Sequence, residues 1–198
     1  MAHPDDTNEH RVVQVGTPVL RQRATEVPAT EVASDNIKEL IALMWDTLEV
    51  VPGVGLAAPQ IGDSRRVVVV KDPPEFVERL SEFTQVERDR VPIEPYILIN
   101  PELTVIGTET RTFYEGCLSV EGYIAAVERF HEVGVRFLDI AGQVKRERVR
   151  GWHARILQHE VDHLDGILYV DRMDTRTLCA ESMSGTLGPA AAGEDADV

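Results

Sequence analysis

Gln158-His159-Glu160-Val161-Asp162-His163-Leu164 sets two imidazoles four residues apart, with a carboxylate directly beside the first. In a helix that spacing brings both rings to one face, one turn apart, where they can share a divalent ion while Glu160 reaches a water on it. The helix itself is argued locally. From Trp152 to Leu164 there is no Pro or Gly, good helix formers recur (Ala154, Arg155, Leu157, Gln158, Glu160), and Leu157, Val161 and Leu164 repeat at near-helical spacing. Gly166 then stands where a left-handed stop is expected. The plain alternative is an amphipathic helix with two surface histidines.

Moving outward, the third ligand decides between enzyme types. Six residues after His163, where a metzincin-type zinc peptidase carries a histidine, stands Tyr169, and no histidine follows His163 at all. Glu181 leads into Ser182-Met183-Ser184-Gly185, which reads as unstructured and makes a poor anchor. Cys117, in Tyr114-Glu115-Gly116-Cys117-Leu118-Ser119 at the end of a predicted strand, is the better candidate. Alone it would read as a small buried hydrophobe. One thiolate and two neutral imidazoles leave a divalent ion with residual positive charge and an open fourth position, as catalytic sites require. A zinc peptidase with a downstream carboxylate ligand, and an inactive relative that keeps its metal as a structural element, stay open as alternatives.

A third run, Gly53-Val54-Gly55-Leu56-Ala57-Ala58-Pro59-Gln60, offers bare backbone to a ligand and ends on an amide that can donate to an oxyanion. By itself it is a turn, lacking the spacing and lysine of a phosphate loop.

Taken together, the Gly53–Gln60 run, Glu115-Gly116-Cys117-Leu118-Ser119 and Gln158–Leu164 resemble, in order, the three motifs of the peptide deformylase family. The resemblance spans about residues 11 to 175, with smaller similarities at Gly16-Thr17-Pro18-Val19-Leu20 and Ile99-Asn100-Pro101-Glu102. It implies a metal-dependent hydrolase that removes the N-formyl group from the N-terminal formylmethionine of newly made polypeptides and releases formate. Metal-bound water would attack the formyl carbon, with Glu160 as general base and then acid. Cys117, His159 and His163 would hold the metal, the Gln60 side chain and Leu118 backbone N–H would stabilise the oxyanion, and Gly55 would help hold the substrate as an extended strand. The cofactor implied is one divalent ion, Fe2+ in the cell, with Zn2+, Ni2+ or Co2+ able to replace it.

The chain departs from the commonest bacterial pattern at a few positions. Pro59 stands where threonine is frequent, and Glu128 breaks a frequent valine-proline-arginine run although Arg129 is kept. Arg155 occupies a place often apolar near the methionine pocket, while the Gly-Trp-x-Ala-Arg-Ile run resembles a branch that includes organelle enzymes. The stretch from Lys71 to Pro95 reads as a long loop.

Composition bounds the rest. The 198 residues, 43% of them hydrophobic, can bury a core and no apolar run approaches the roughly 20 residues of a membrane span. We expect a flexible N-terminal tail over residues 1–10, a single catalytic domain over 11–178 and a flexible acidic tail over 179–198. A formal charge of −14 argues against direct nucleic acid binding, and the acidic C-terminal sequence argues for at most transient ribosome contact. The expected partners are N-formylmethionyl nascent peptides, with no membrane. With no signal or transit peptide visible and only Cys117 and Cys179, the reading is cytoplasmic, bacterial or an organelle form whose presequence has been removed.

The expected fold is α+β, with antiparallel β-sheets surrounding a central helix that carries the metal motif. Asn36 with Glu39 reads as a capping pair opening a helix to about Glu49, whose inner face is Ile37, Leu40, Ile41, Met44 and Leu48. Arg66 to Lys71 and Tyr96 to Ile99 read as buried strands. Val133, Val135 and Phe137, a turn at Ala141-Gly142, and Val144 to Val149 read as a hairpin.

Overall fold

The structure is a computed structural model that describes residues 12 to 186. The expected N-terminal tail, and residues 187–198 of the expected acidic tail, lie outside the described residues.

Helix α1 (Asp35–Val50) buries the five predicted apolar positions, Ile37, Leu40, Ile41, Met44 and Leu48. Its cap is not the expected Asn36 pair. Ser34 has the extended backbone an N-cap needs, and its hydroxyl accepts from the Ile37 N–H at 3.4 Å. Asn36 lies inside the helix and accepts from Arg65 instead.

Five antiparallel strands form the larger sheet in the order β1 (Gly55–Ala57), β2 (Val67–Asp72), β3 (Ile93–Val105), β6 (Glu132–Leu138) and β7 (Val144–Arg150). Val67-Val68-Val69-Val70 of β2 is apolar without alternation because both faces are covered. Val67 and Val69 pack with Met44 and Leu48 of α1, whereas Val68 and Val70 join Leu98, Val135, Phe137, Trp152 and Leu157. Each such fully buried side chain contributes about 1.5–3 kcal/mol. The predicted hairpin is present, pairing Leu138 with Val144 through Glu132 with Arg150.

Strand β3 runs far beyond the predicted Tyr96–Ile99. A register shift between Ile99 and Glu102 bends it, and Asn100 at the bend adopts a left-handed conformation (φ 51°). The Asn100 side chain then serves as a substitute strand edge, accepting from the Val27 N–H at 2.9 Å and donating to the Val27 carbonyl at 2.8 Å. The smaller sheet joins β4 (Thr110–Glu115), β5 (Tyr123–Phe130) and β8 (Cys179–Ala180), again antiparallel. Strand β8 moves the start of the expected tail. Cys179 and Ala180 pair with Ile124 and Tyr123, and the Glu181 N–H donates to the Gly122 carbonyl, so ordered backbone bonding continues past residue 178.

The stretch from 71 to 95 is not one long loop. It holds α2 (Pro74–Val77) and α3 (Glu82–Arg88), the latter capped by the Ser81 side chain. Arg90 makes a two-pronged ion pair with Asp72 at 2.8 and 3.0 Å, both side chains buried, and the Arg88 guanidinium lies 4.6 Å from the Trp152 ring centre.

Helix α4 (Gly151–Leu164) carries the histidine motif and packs against strands of both sheets. Twelve of its 14 residues are buried, which excludes an amphipathic surface helix. Gly166 closes it at φ 75°, and a Cβ there would lie 2.8 Å from the Arg21 backbone, so glycine is required on both counts.

Candidate metal centre

The four-residue spacing on α4 does what helix geometry dictates, placing the His159 and His163 rings 5.0 Å apart between centres. Cys117 reaches them from the turn after β4, where its carbonyl accepts from the Val120 N–H at 2.9 Å. Its Sγ lies 3.2 Å from His163 Nε2, and one ligand atom from each of Cys117, His159 and His163 falls within 4.8 Å of the others. All three residues are buried.

The donor set fits a divalent cation on three counts. His159 Nε2 is buried and makes no hydrogen bond, while Nδ1 of the same ring is bound, so a lone pair is left facing the cluster. Burial, and then the neighbouring His159, hold the His163 imidazole well below its usual range, which keeps it neutral and ligating. Cys117 offers a soft sulfur; burial pushes its thiol up to about 12, so the charge of a bound cation is what would make it a thiolate.

Glu160 is 1% exposed, and neither carboxylate oxygen has a hydrogen-bond partner. Burial raises its carboxyl to about 8, against the lowering effect of Arg129. A buried carboxyl without partners costs stability, so its place beside the cluster points to chemistry rather than packing. Gly55 of β1 makes the room for it, because a Cβ at 55 would collide with the Glu160 side chain.

Gln60 sits in a single turn of 3-10 helix after β1, with its amide orientation set by the Ala57 N–H, which donates to Oε1 at 2.8 Å. That turns Nε2 toward the cluster, 3.8 Å from Cys117 Sγ. Leu118 follows Cys117 directly in the turn. The structure therefore brings Cys117, His159, His163, Glu160, Gly55, Gln60 and Leu118 to one place. Glu181, the downstream carboxylate of the peptidase alternative, is exposed and is not among the clustered ligands.

Several residues that hold the site escaped the sequence reading. Glu115 Oε2 lies 3.0 Å from His159 Nδ1, which fixes the ring so that Nε2 faces the ligands. Glu115 also accepts from Arg129 at 2.8 and 2.9 Å and from Arg155 Nη1. Burial alone would raise this carboxyl, but the Arg129 charge and hydrogen bonds outweigh it and hold it well below the carboxylate range. Arg129 passes on to Asp162 at 2.6 Å, and Asp162 to Arg172 at 2.6 Å, so an ion-pair chain runs from Glu115, behind His159, to the surface. The signal for Arg129 was period two, which places it on the same strand face as the buried Ala125 and Val127.

Arg155 was expected to bear on the methionine pocket. The structure turns it to Glu115, to the Val127 carbonyl at 3.1 Å and to the Arg111 carbonyl at 2.6 Å, with its guanidinium over Phe113. Glu128 is exposed and accepts from the Thr110 hydroxyl at 3.1 Å.

Comparison with known proteins agrees with this geometry. A protein-family model described as polypeptide deformylase matches residues 9–178. A tomato chloroplastic peptide deformylase 1A is 44% identical over 84% of this chain, which spans 60% of that longer protein. A peptide deformylase from Thermomicrobium roseum is 41% identical, with 84% of this chain and 86% of the relative covered. Among solved structures, a Met-Ala-Ser-bound class I type b peptide deformylase from Acinetobacter baumannii superposes with a TM-score of 0.72 at 35% identity, covering 82% of this chain and 96% of that one.

Proposed function

The chain belongs to the polypeptide deformylase family, and from that premise we propose that it removes the N-formyl group from N-terminal formylmethionine of newly made polypeptides, releasing formate. The observation that carries this reading is Glu160, a buried carboxylate without hydrogen-bond partners held beside the Cys117–His159–His163 cluster.

A divalent ion held by Cys117, His159 and His163 would supply a Lewis acid that acidifies water and polarises a carbonyl. Glu160 takes the proton as the water oxygen bonds to the formyl carbon, then delivers it to the amine nitrogen as the C–N bond breaks. Gln60 Nε2 and the Leu118 backbone N–H donate to the oxygen that gains charge, and removing one such donor typically costs about a hundredfold or more in rate. Glu115, through His159 Nδ1, keeps the imidazole oriented. Strand β1 is an edge of its sheet, which supports binding of the substrate as an added strand at Gly55. The Acinetobacter relative was solved with Met-Ala-Ser bound, the sequence a deformylated peptide would have.

We propose ferrous iron as the ion in the cell on the family resemblance alone; by ligand softness a cysteine and two histidines suit zinc, and nickel or cobalt can also replace it. The partners proposed are formylmethionyl nascent peptides, met through at most transient ribosome contact, in the cytoplasm or an organelle. No helix among the described residues is long and apolar enough to cross a membrane.

The test is anaerobic formate release from a short N-formylmethionyl peptide by iron- or nickel-loaded protein, beside Glu160→Ala. Release by the wild type that vanishes in a variant retaining its metal supports the reading. No release from folded, fully metallated wild type overturns it.

A further inference from the structure

Residues 12–15 lie across the turns that carry both oxyanion donors. The Val13 N–H donates to the Gln60 carbonyl at 2.8 Å, and the Val15 N–H donates to the Ser119 carbonyl at 2.7 Å. Between these two bonds, the Gln14 side chain reaches the same turn. Its Nε2 donates to the Leu118 carbonyl at 2.9 Å and to its own strap at the Val12 carbonyl, 3.4 Å away. Its Oε1 accepts from the Glu121 N–H at 3.3 Å.

We infer that Gln14 is a positioning residue for the oxyanion donors, an inference that rests on the deformylase reading. Its side-chain hydrogen bonds go to the Val12 and Leu118 carbonyls and the Glu121 N–H, none to Cys117, His159, His163 or Glu160, so it acts through the backbone it holds. Leu118 has its N–H on one side of its Cα and its carbonyl on the other, so fixing the carbonyl restrains the rotation that would swing the residue. Gln14 holds that carbonyl while Glu121, three residues on, is tied to the same amide. The strap backbone simultaneously holds the Gln60 carbonyl, so one four-residue segment spans the two donors from separate parts of the chain. A donor displaced by a fraction of an ångström loses most of its effect on a developing charge, whereas ground-state binding through β1 is left alone. Sequence alone gives no sign of this, since Gln14 is an ordinary polar residue 104 positions from its partner.

The experiment compares wild type, Gln14→Met and Gln14→Glu at equal metal content, reading kcat and KM separately on a formylmethionyl peptide. Met keeps the volume and removes all the hydrogen bonds. Glu keeps an acceptor for the Glu121 N–H but turns an oxygen on the Leu118 carbonyl. The expected result is a kcat loss of about five- to fiftyfold in both, at least as large for Glu, with KM within about twofold and metal stoichiometry unchanged. Faster amide hydrogen exchange at residues 118–121 accompanies the loss. Unchanged kcat in folded, metallated Gln14→Met overturns the inference while leaving the deformylase reading intact. A shared loss of metal, or a change confined to KM, also overturns it. A wild type that releases no formate sinks the underlying reading and this inference with it.

Discussion

A Cβ on Gly55 would lie 2.4 Å from Oε1 of Glu160 and 2.9 Å from its Cγ. Strand β1 and helix α4 thus meet at a point where only a hydrogen fits, and the proposed general base occupies the space a side chain would take. Gly55→Ala forces Glu160 to move, with an expected loss of about a hundredfold or more in kcat and a destabilisation of about 1–3 kcal/mol from overpacking. Glu160→Ala removes the colliding atoms. The double variant should then regain the stability lost in Gly55→Ala while staying as inactive as Glu160→Ala. Additive losses of stability in thermal unfolding of the four proteins would disprove the contact as the cause.

Glu115 tests the support behind His159. Glu115→Gln weakens the hold on Nδ1 and leaves Arg129 and Arg155 facing a neutral amide in a buried site. We expect metal affinity to fall by about 10- to 100-fold and stability by about 3–5 kcal/mol. Competition with a chelator of known affinity reads the first, and denaturant unfolding of the metal-free proteins reads the second. An unchanged affinity would mean that the helix alone orients the ring.

What could be read in the sequence, and what could not, follows from the range of the interactions. The two histidines, their glutamate and the α4 helix were legible because helical spacing is a local property. The hairpin of β6 and β7 was legible for the same reason, from alternation at Val133, Val135 and Phe137. Strand β3 was not, because Pro95, Asn100 and Pro101 interrupt its pattern and only the bulge, completed by Val27 from far away, makes them compatible with pairing. The 71–95 stretch looked like a loop since its order depends on Asp72 with Arg90 and on Arg88 against Trp152, contacts that no local pattern announces. Buried arginines misled most. Arg155 reads as a pocket residue, yet it is neutralised by Glu115, 40 positions away, which Arg129 also pairs from the neighbouring strand.

Cys117 separates the proposed centre from a peptidase centre with a carboxylate ligand. Cys117→Ala should reduce bound metal from about one ion per chain to a small fraction after desalting, because two imidazoles on one helix turn bind weakly alone. Elemental analysis measures it directly. The same loss should appear as a lower melting temperature that added metal no longer restores, since an ion that binds only the folded state stabilises it by mass action. Retention of one tightly held ion would point to a third ligand other than Cys117.

His153 carries a pH dependence away from the metal. Burial lowers its imidazole to about 4, and its Nε2 is in hydrogen-bond contact with the Tyr96 hydroxyl at 2.7 Å. The unfolded chain takes up this proton near pH 6.5, whereas the folded chain resists until about pH 4. Protons are therefore bound more readily by the unfolded state between these values, and stability falls as pH is lowered through that window. The contribution is fully present above about pH 6.5 and lost by about pH 4, amounting to roughly 2–3 kcal/mol for a shift of this size in a ring that is mostly buried. Below pH 5 the carboxylates add their own losses. The decisive range is thus pH 5 to 6.5, where His153→Gln should flatten the urea-midpoint profile relative to wild type. Tyr96→Phe removes the hydroxyl partner but leaves the ring buried, and burial is what lowers it, so the variant should keep most of the slope. Parallel profiles for wild type and His153→Gln across that range would assign the dependence to another group.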